Sequence, residues 1–200
     1  MLQVRPRAAV PRHAASLIAV RDGTAVLMGM RGARHRFMPN RLVFPGGAVD
    51  RGDSRARTEA EPPAETVAAL TRAARPPLAR ALCVAAAREL EEETGLSLGT
   101  PPDLSGLDYL CRAVTPPSSP LRFNARFLVL DAARLRGDLA GSGELEDLRW
   151  YQIEAALELD LALVTREVLQ TLQAWLAMPE GERRARPVTP VFRLRRWREE

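Results

Sequence analysis

The chain has 200 residues, 46% of them hydrophobic and 27% charged, which suits one domain with a sizeable core. All 29 basic residues are arginine, and a net charge of only +4 underlies the sequence pI near 10, so the charge argues poorly for nucleic acid. Cys83 and Cys111 form no CxxC pair or disulfide framework, and no apolar run reaches the roughly 18 residues of a membrane span.

The first residues, MLQVRPRAAVPRHAASLIAV, are basic, but Pro11, Arg12 and His13 interrupt the apolar run. They do not read as a secretory signal, and a cytoplasmic location is expected. Residues 14–20 (AASLIAV) predict a strand, RDGT a turn and AVLMGMRG a second strand. A loop at RHRFMPN leads to a short strand RLVF and the turn PGG. Residues 51–77 are rich in Ala, Arg, Glu and Pro, with a short helix expected within 64–74. Pro76 and Pro77 favour a helix start and Gly95 a stop, which brackets a helix over 78–94.

Strands follow at LDYLCRAV, at RFNARFLVLDA after the loop TPPSSP, and at DLRWYQI after a turn at GSG. Residues 161–177 predict an amphipathic helix with Leu163, Val164, Val168, Leu172 and Leu176 on one side. The alternation of strands and helices argues for an α/β layered domain. The expected organisation is an N-terminal extension over 1–13, a domain over 14–178 interrupted by 51–77, and an arginine-rich tail over 179–200.

The segment AARELEEETGL, residues 86–96, puts Glu89, Glu91, Glu92 and Glu93 near a helix C-terminus, where the macrodipole disfavours negative charge. At 100° per residue, Ala79, Cys83, Ala86 and Leu90 fall on one core-facing stripe, with Leu82 beside it. Glu89, Glu92 and Glu93 share an adjoining wedge, and Glu91 points elsewhere. Three converging carboxylates suit a hard divalent cation such as Mg²⁺ or Mn²⁺.

RELEEETGL resembles the core of the Nudix box, with Arg88, Glu89, Leu90, Glu92, Glu93, Gly95 and Leu96 at the specified positions. FPGGAVDRGD is similar to the glycine-rich loop that opens that motif. Five residues after Gly47 stands Asp53, where the pattern has Glu. From Asp53 to Arg88, 34 residues intervene where the pattern has seven, so 27 are inserted. This interruption resembles the branch related to the peroxisomal coenzyme A diphosphatases. A coenzyme A signature is similar in spacing to Arg31, Gly32, Arg36, Asn40 and Phe44 to Gly47, with Asn40 in place of glycine.

The resemblance implies a Nudix fold, a mixed β-sheet sandwiched between helices. It implies hydrolysis of a nucleoside diphosphate linked to another group, with coenzyme A or an acyl derivative the best match and ADP-ribose or a dinucleotide the alternative. A nucleotide-sensing module without catalysis is the reading from another class, disfavoured because all three box carboxylates are present. Mg²⁺ or Mn²⁺ would be held by Glu89, Glu92 and Glu93, and Glu89 or Glu92 would act as base. Arg88 would orient a glutamate, and Glu144, favoured over Glu146 and Asp147, would add a carboxylate from a downstream loop. Gly46 and Gly47 would let the backbone bend against the helix. Arg31, Arg36 and Arg122 would bind substrate phosphates. The partner expected is a small nucleotide, with neither nucleic acid nor membrane, and the family leaves a homodimer open.

Overall fold

The computed structural model describes residues 9–32 and 38–200. Strand β1 (Arg12–Arg21) and β2 (Ala25–Arg31) form a hairpin turned by Asp22 and Gly23, both at positive φ. Short strands β3 (Leu42–Val43) and β4 (Gly46–Ala48) precede α1 (Ala64–Thr71) and the long α2 (Pro76–Thr94). Then come β5 (Asp108–Val114), β6 (Phe123–Asp131), β7 (Leu145–Gln152), α3 (Ile153–Leu157) and α4 (Leu163–Leu176). The chain closes with α5 (Glu180–Arg184), β8 (Pro190–Arg193) and β9 (Arg196–Glu199).

The strands form one mixed sheet, ordered β3-β2-β1-β6-β5-β8-β9, with β4 also pairing β1 and β7 also pairing β2. β1 with β6 and β5 with β8 are parallel. The strand period of two splits the core between the faces. Leu17 and Ala19 of β1 and Leu128 and Leu130 of β6 meet Ala79, Leu82, Cys83, Ala86 and Leu90 of α2. Ile18, Val20, Phe127 and Val129 join Val168, Leu169, Leu172 and Trp175 of α4 on the other face. A register shift between Tyr109 and Cys111 lets Leu110 and Cys111 both join the α4 side. The fold class is α/β with helices on both sheet faces, as expected.

The α2 stripe is buried as the wheel requires. Pro76 and Pro77 lie within the first turn rather than before it, where a missing N–H costs nothing. Gly95 ends the helix at φ 75 and donates its N–H to the Glu91 carbonyl (2.9 Å). On α4 the buried stripe is Thr165, Val168, Leu169, Leu172 and Trp175; of the expected stripe, Val168 and Leu172 are buried and Val164 and Leu176 pack partly buried against it, while Leu163 is exposed. Trp175 claims the inner position because it is the largest apolar group in reach.

Strand pairing crosses two of the expected boundaries. β1 begins at Arg12, inside the presumed extension. Residues 179–200, which the sequence leaves to pack or fray, pack on the domain: β8 pairs with β5, and Val191 and Phe192 are buried. Their alternation was hidden among arginines, and β5 supplies an edge with open backbone groups. The 51–77 segment packs on the α2 side. Leu70 is buried there, and the fully buried Arg126 of β6 donates to the Ala73 carbonyl (3.0 Å), the Asn124 carbonyl (2.9 Å) and, at 3.2 Å, meets His13 Nδ1. Among the described residues no helix is long and apolar enough to cross a membrane.

Candidate active site

β4 crosses beside the last turns of α2 because Gly47 pairs with Ala15 and Gly46 with Ser16 on β1. The approach is close enough to decide residue types. The Gly46 N–H donates to Glu93 Oε2 at 2.8 Å, and Glu93 is only 1% exposed. A Cβ on Gly47 would sit 2.4 Å from the Glu89 carboxylate carbon. Gly46 itself has φ 155, and its Cβ would strike the Ala15 carbonyl oxygen at 2.5 Å. The two glycines therefore let the helix carboxylates reach the sheet.

Arg88 organises the opposite side of this pair. Its guanidinium donates to Asp53 (3.1 and 3.3 Å), Glu89 (2.9 Å), Glu92 (3.0 Å) and the Ala48 carbonyl (3.1 Å). Asp53 is buried and also accepts from the Asp50 N–H (2.7 Å). The segment between Asp53 and Arg88 thus leaves and returns to one ion pair. Asp53 was noted in sequence only as a departure from the motif, yet it holds Arg88, since a shorter carboxylate still satisfies the guanidinium when the 3₁₀ turn Asp53–Arg55 brings it in.

A cavity of about 540 Å³ opens in front of Gly46 and Gly47 on the α4 face of the sheet. Glu89, Glu144 and Arg31 line it together with Phe44, Phe127, Phe192 and the first residues of α4. Arg31 Nη2 lies 3.8 Å from Glu144 Oε1, and Arg31 Nε is buried without a hydrogen-bond partner among the described residues. That orphaned donor suits an anion.

Of the sequence-predicted residues, Glu89, Glu93, Arg88, Glu144, Arg31, Gly46 and Gly47 gather at this end of the cavity. Glu92 does not: its side chain is 57% exposed and serves Arg88. Glu89 and Glu93 are one helical turn apart and both lie under β4, whereas Glu92 falls past the edge of that cover. Arg122 is also not at the cavity wall, because it donates to the Thr115 (3.1 Å) and Ala9 (2.5 Å) carbonyls and clamps the loop before β6. Arg36 lies outside the described residues. Arg12 and Arg195 line the cavity and carry no sequence pattern that separates them from the other arginines. None of residues 51–77 lines it.

Burial pushes the Glu93 carboxyl up to about 8, with Glu144 and Glu89 adding repulsion and the Gly46 N–H and Arg31 opposing. Burial also raises Glu89, against the pull of Arg88. Among the described residues no three carboxylates, histidines or cysteines are gathered into a ready metal cage. The donor set still fits a hard cation: Glu89, Glu93 and Glu144 offer only oxygen and repel one another.

The raised Glu93 has a consequence for stability. Its folded pKa of about 8 exceeds the ordinary 4.5, so its contribution is complete below the ordinary carboxylate range and is lost as pH rises through about 8. The thermal midpoint of the metal-free protein is expected to fall from about pH 5 to about pH 9. Glu93→Gln should flatten that slope, and an unchanged slope would show that Glu93 is not the group responsible.

Comparisons with known proteins find likenesses in both sequence and fold. The NUDIX domain model matches residues 81–172, beginning downstream of the insertion. A Caenorhabditis elegans protein named as nudix hydrolase 7 is 37% identical over 86 residues, 42% of this chain, and the chain spans only 22% of that curated relative's length. The solved NUDIX hydrolase from Alicyclobacillus acidocaldarius superposes with a TM-score of 0.65 at 27% identity, over 83% of this chain and 92% of that one. The MutT NUDIX hydrolase from Burkholderia pseudomallei shares the fold, with a TM-score of 0.55 at 21% identity over 82% of this chain and 98% of its own.

Proposed function

We propose that the chain is a NUDIX hydrolase acting on the diphosphate of a nucleoside diphosphate derivative, a reading supported by the NUDIX domain match over residues 81–172 and by the fold shared with solved NUDIX hydrolases. The observation that carries this reading is the pair Glu89 and Glu93, held under Gly46 and Gly47 at the end of a cavity large enough for a small nucleotide. Glu89, Glu93 and Glu144 would hold Mg²⁺ or Mn²⁺. That cation, when bound, supplies charge neutralisation on the phosphates and acidifies water.

The chain's own residues have separable roles in this proposal. Glu89 accepts the proton of the attacking water, because its carboxylate both faces the cavity and is oriented by Arg88. Water oxygen bonds to one phosphorus as that phosphorus loses its bridging oxygen, giving two phosphate-terminated products. Arg88 positions Glu89 rather than touching substrate, and Glu92 and Asp53 fix Arg88. Arg31 takes a phosphate oxygen with its unpartnered Nε–H. The apolar walls around Phe44, Phe127 and Phe192 exclude water and accept an uncharged part of the substrate.

Coenzyme A or an acyl derivative is the substrate proposed, on the box interruption and the spacing of Arg31 to the FPGG turn. The test is a product screen of the purified protein with Mg²⁺ or Mn²⁺ against coenzyme A, acetyl-coenzyme A, ADP-ribose, NADH and dinucleoside polyphosphates. Cleavage of coenzyme A species to 3′,5′-ADP and 4′-phosphopantetheine is expected. Cleavage of the others alone would keep the diphosphatase and remove coenzyme A. Nucleotide binding without cleavage would favour a sensor.

A further inference from the structure

The cavity has a second polar end. Its floor is a row of small residues running across the sheet: Ala48 beside Ala14, Ala14 beside Ala125, Ala125 beside Ala113, and Ala113 beside Phe192. On one side of this row, along the strands, lie Ser16 and Gly46, next to the carboxylates. On the opposite side lie Arg12, paired with Phe123, and, three strands across the sheet at about the same level, the Leu194–Arg195 turn of the β8–β9 hairpin. Ser16 and Arg12 are four residue steps apart on β1, roughly 13 Å of extended backbone.

Arg12 and Arg195 line the cavity, and neither side chain makes an ion pair or hydrogen bond among the described residues. Near Arg12, Arg122 is engaged with two carbonyls, Arg112 with Asn124 (2.7 Å) and Glu200, and Arg126 with backbone, whereas Arg193, Arg196 and Arg198 of the Arg195 hairpin also have no side-chain partner among the described residues but do not line the cavity. The turn that presents Arg195 is also unusual. A two-residue hairpin of this kind favours Asn-Gly, yet Leu194 (φ 52) and Arg195 (φ 61) both occupy the left-handed region. Their side chains reach the cavity at the cost of backbone strain, the sort of local conflict that functional sites retain.

We propose that Arg12 and Arg195 form an anion subsite at the end of the cavity opposite the carboxylates, which selects substrates bearing a phosphomonoester in addition to the diphosphate. The proposal rests on the diphosphatase reading above. Two guanidinia without partners match the two charges of a phosphomonoester, and arginine binds such oxygens bidentately. The apolar floor between the two sides keeps one diphosphate group from filling both.

The experiment compares pairs of compounds that differ only in that phosphate. Turnover of coenzyme A against 3′-dephospho-coenzyme A is measured for the wild type, Arg12→Ala, Arg195→Gly and the double variant. Glycine is chosen at 195 because it relieves the positive φ and so removes the guanidinium without threatening the turn. The wild type is expected to prefer the phosphorylated compound by about tenfold or more in kcat/KM, mainly through KM. The preference should fall toward unity in the double variant, survive in part in Arg195→Lys, and persist in Arg198→Ala, a control on the same hairpin away from the cavity. Binding of 3′,5′-ADP against AMP is measured on the same proteins by calorimetry. If neither coenzyme is cleaved but 3′,5′-ADP is preferred and that preference is lost in the double variant, the subsite stands and the diphosphatase reading falls. If cleavage occurs and the double variant discriminates as the wild type does, the subsite falls and the diphosphatase reading stands.

Discussion

Gly47→Ala is expected to remove most turnover while leaving the thermal midpoint nearly unchanged. The added Cβ would lie 2.4 to 2.5 Å from the carboxylate carbon and both oxygens of Glu89. What it meets is the tip of a flexible side chain, so the fold yields by swinging Glu89 aside rather than by unfolding. A base displaced by about 1 Å costs on the order of 10²-fold in rate. Gly46→Ala serves as the contrast. There the new Cβ strikes backbone, the Ala15 carbonyl at 2.5 Å and Ser16 Cα at 2.6 Å, at φ 155, and the loss should be one of stability. Wild-type kcat in Gly47→Ala would show that the Glu89 carboxylate need not sit where β4 holds it.

Glu93→Gln should act in opposite directions on activity and stability. The amide keeps the shape and can still accept from the Gly46 N–H, but it cannot supply a charged oxygen to a cation. Metal-dependent turnover is expected to fall by more than the about 10–100-fold that loss of an outer-shell partner costs. At alkaline pH the metal-free variant should be more stable than the wild type, because a buried carboxylate whose pKa is pushed up to about 8 no longer ionises. Glu91→Gln is the control. Glu91 is exposed, and its loss should change neither quantity. Equal damage from Glu91→Gln would mean that charge at this helix end, not the position of Glu93, governs the site.

Such conflicts between function and stability explain the odd helix end. Glu89 and Glu93 are partly or fully buried where the helix dipole and desolvation both oppose them, and among the described residues Arg88, Arg31 and the Gly46 N–H answer their charge. A cation between them would relieve this repulsion.

Much of this arrangement is legible in one dimension. The stripe Ala79, Cys83, Ala86 and Leu90 and the wedge holding Glu89 and Glu93 follow from helix periodicity, because their spacing lies within a single element. The glycines of β4 and the αL stop at Gly95 are equally local, since each is required by backbone geometry. What needed the tertiary structure depends on which element covers which. β4 shields Glu89 and Glu93 but ends short of Glu92, which no wheel can tell. Asp53 reaches Arg88 across the inserted residues, while Arg122, placed by sequence among the phosphate ligands, is consumed by backbone carbonyls. Among 29 arginines of one residue type, composition carries no contrast. Burial separates Arg126 in the core from Arg12 and Arg195 at the cavity, and burial is decided by strand pairing between segments more than 100 residues apart, as when β1 meets β6.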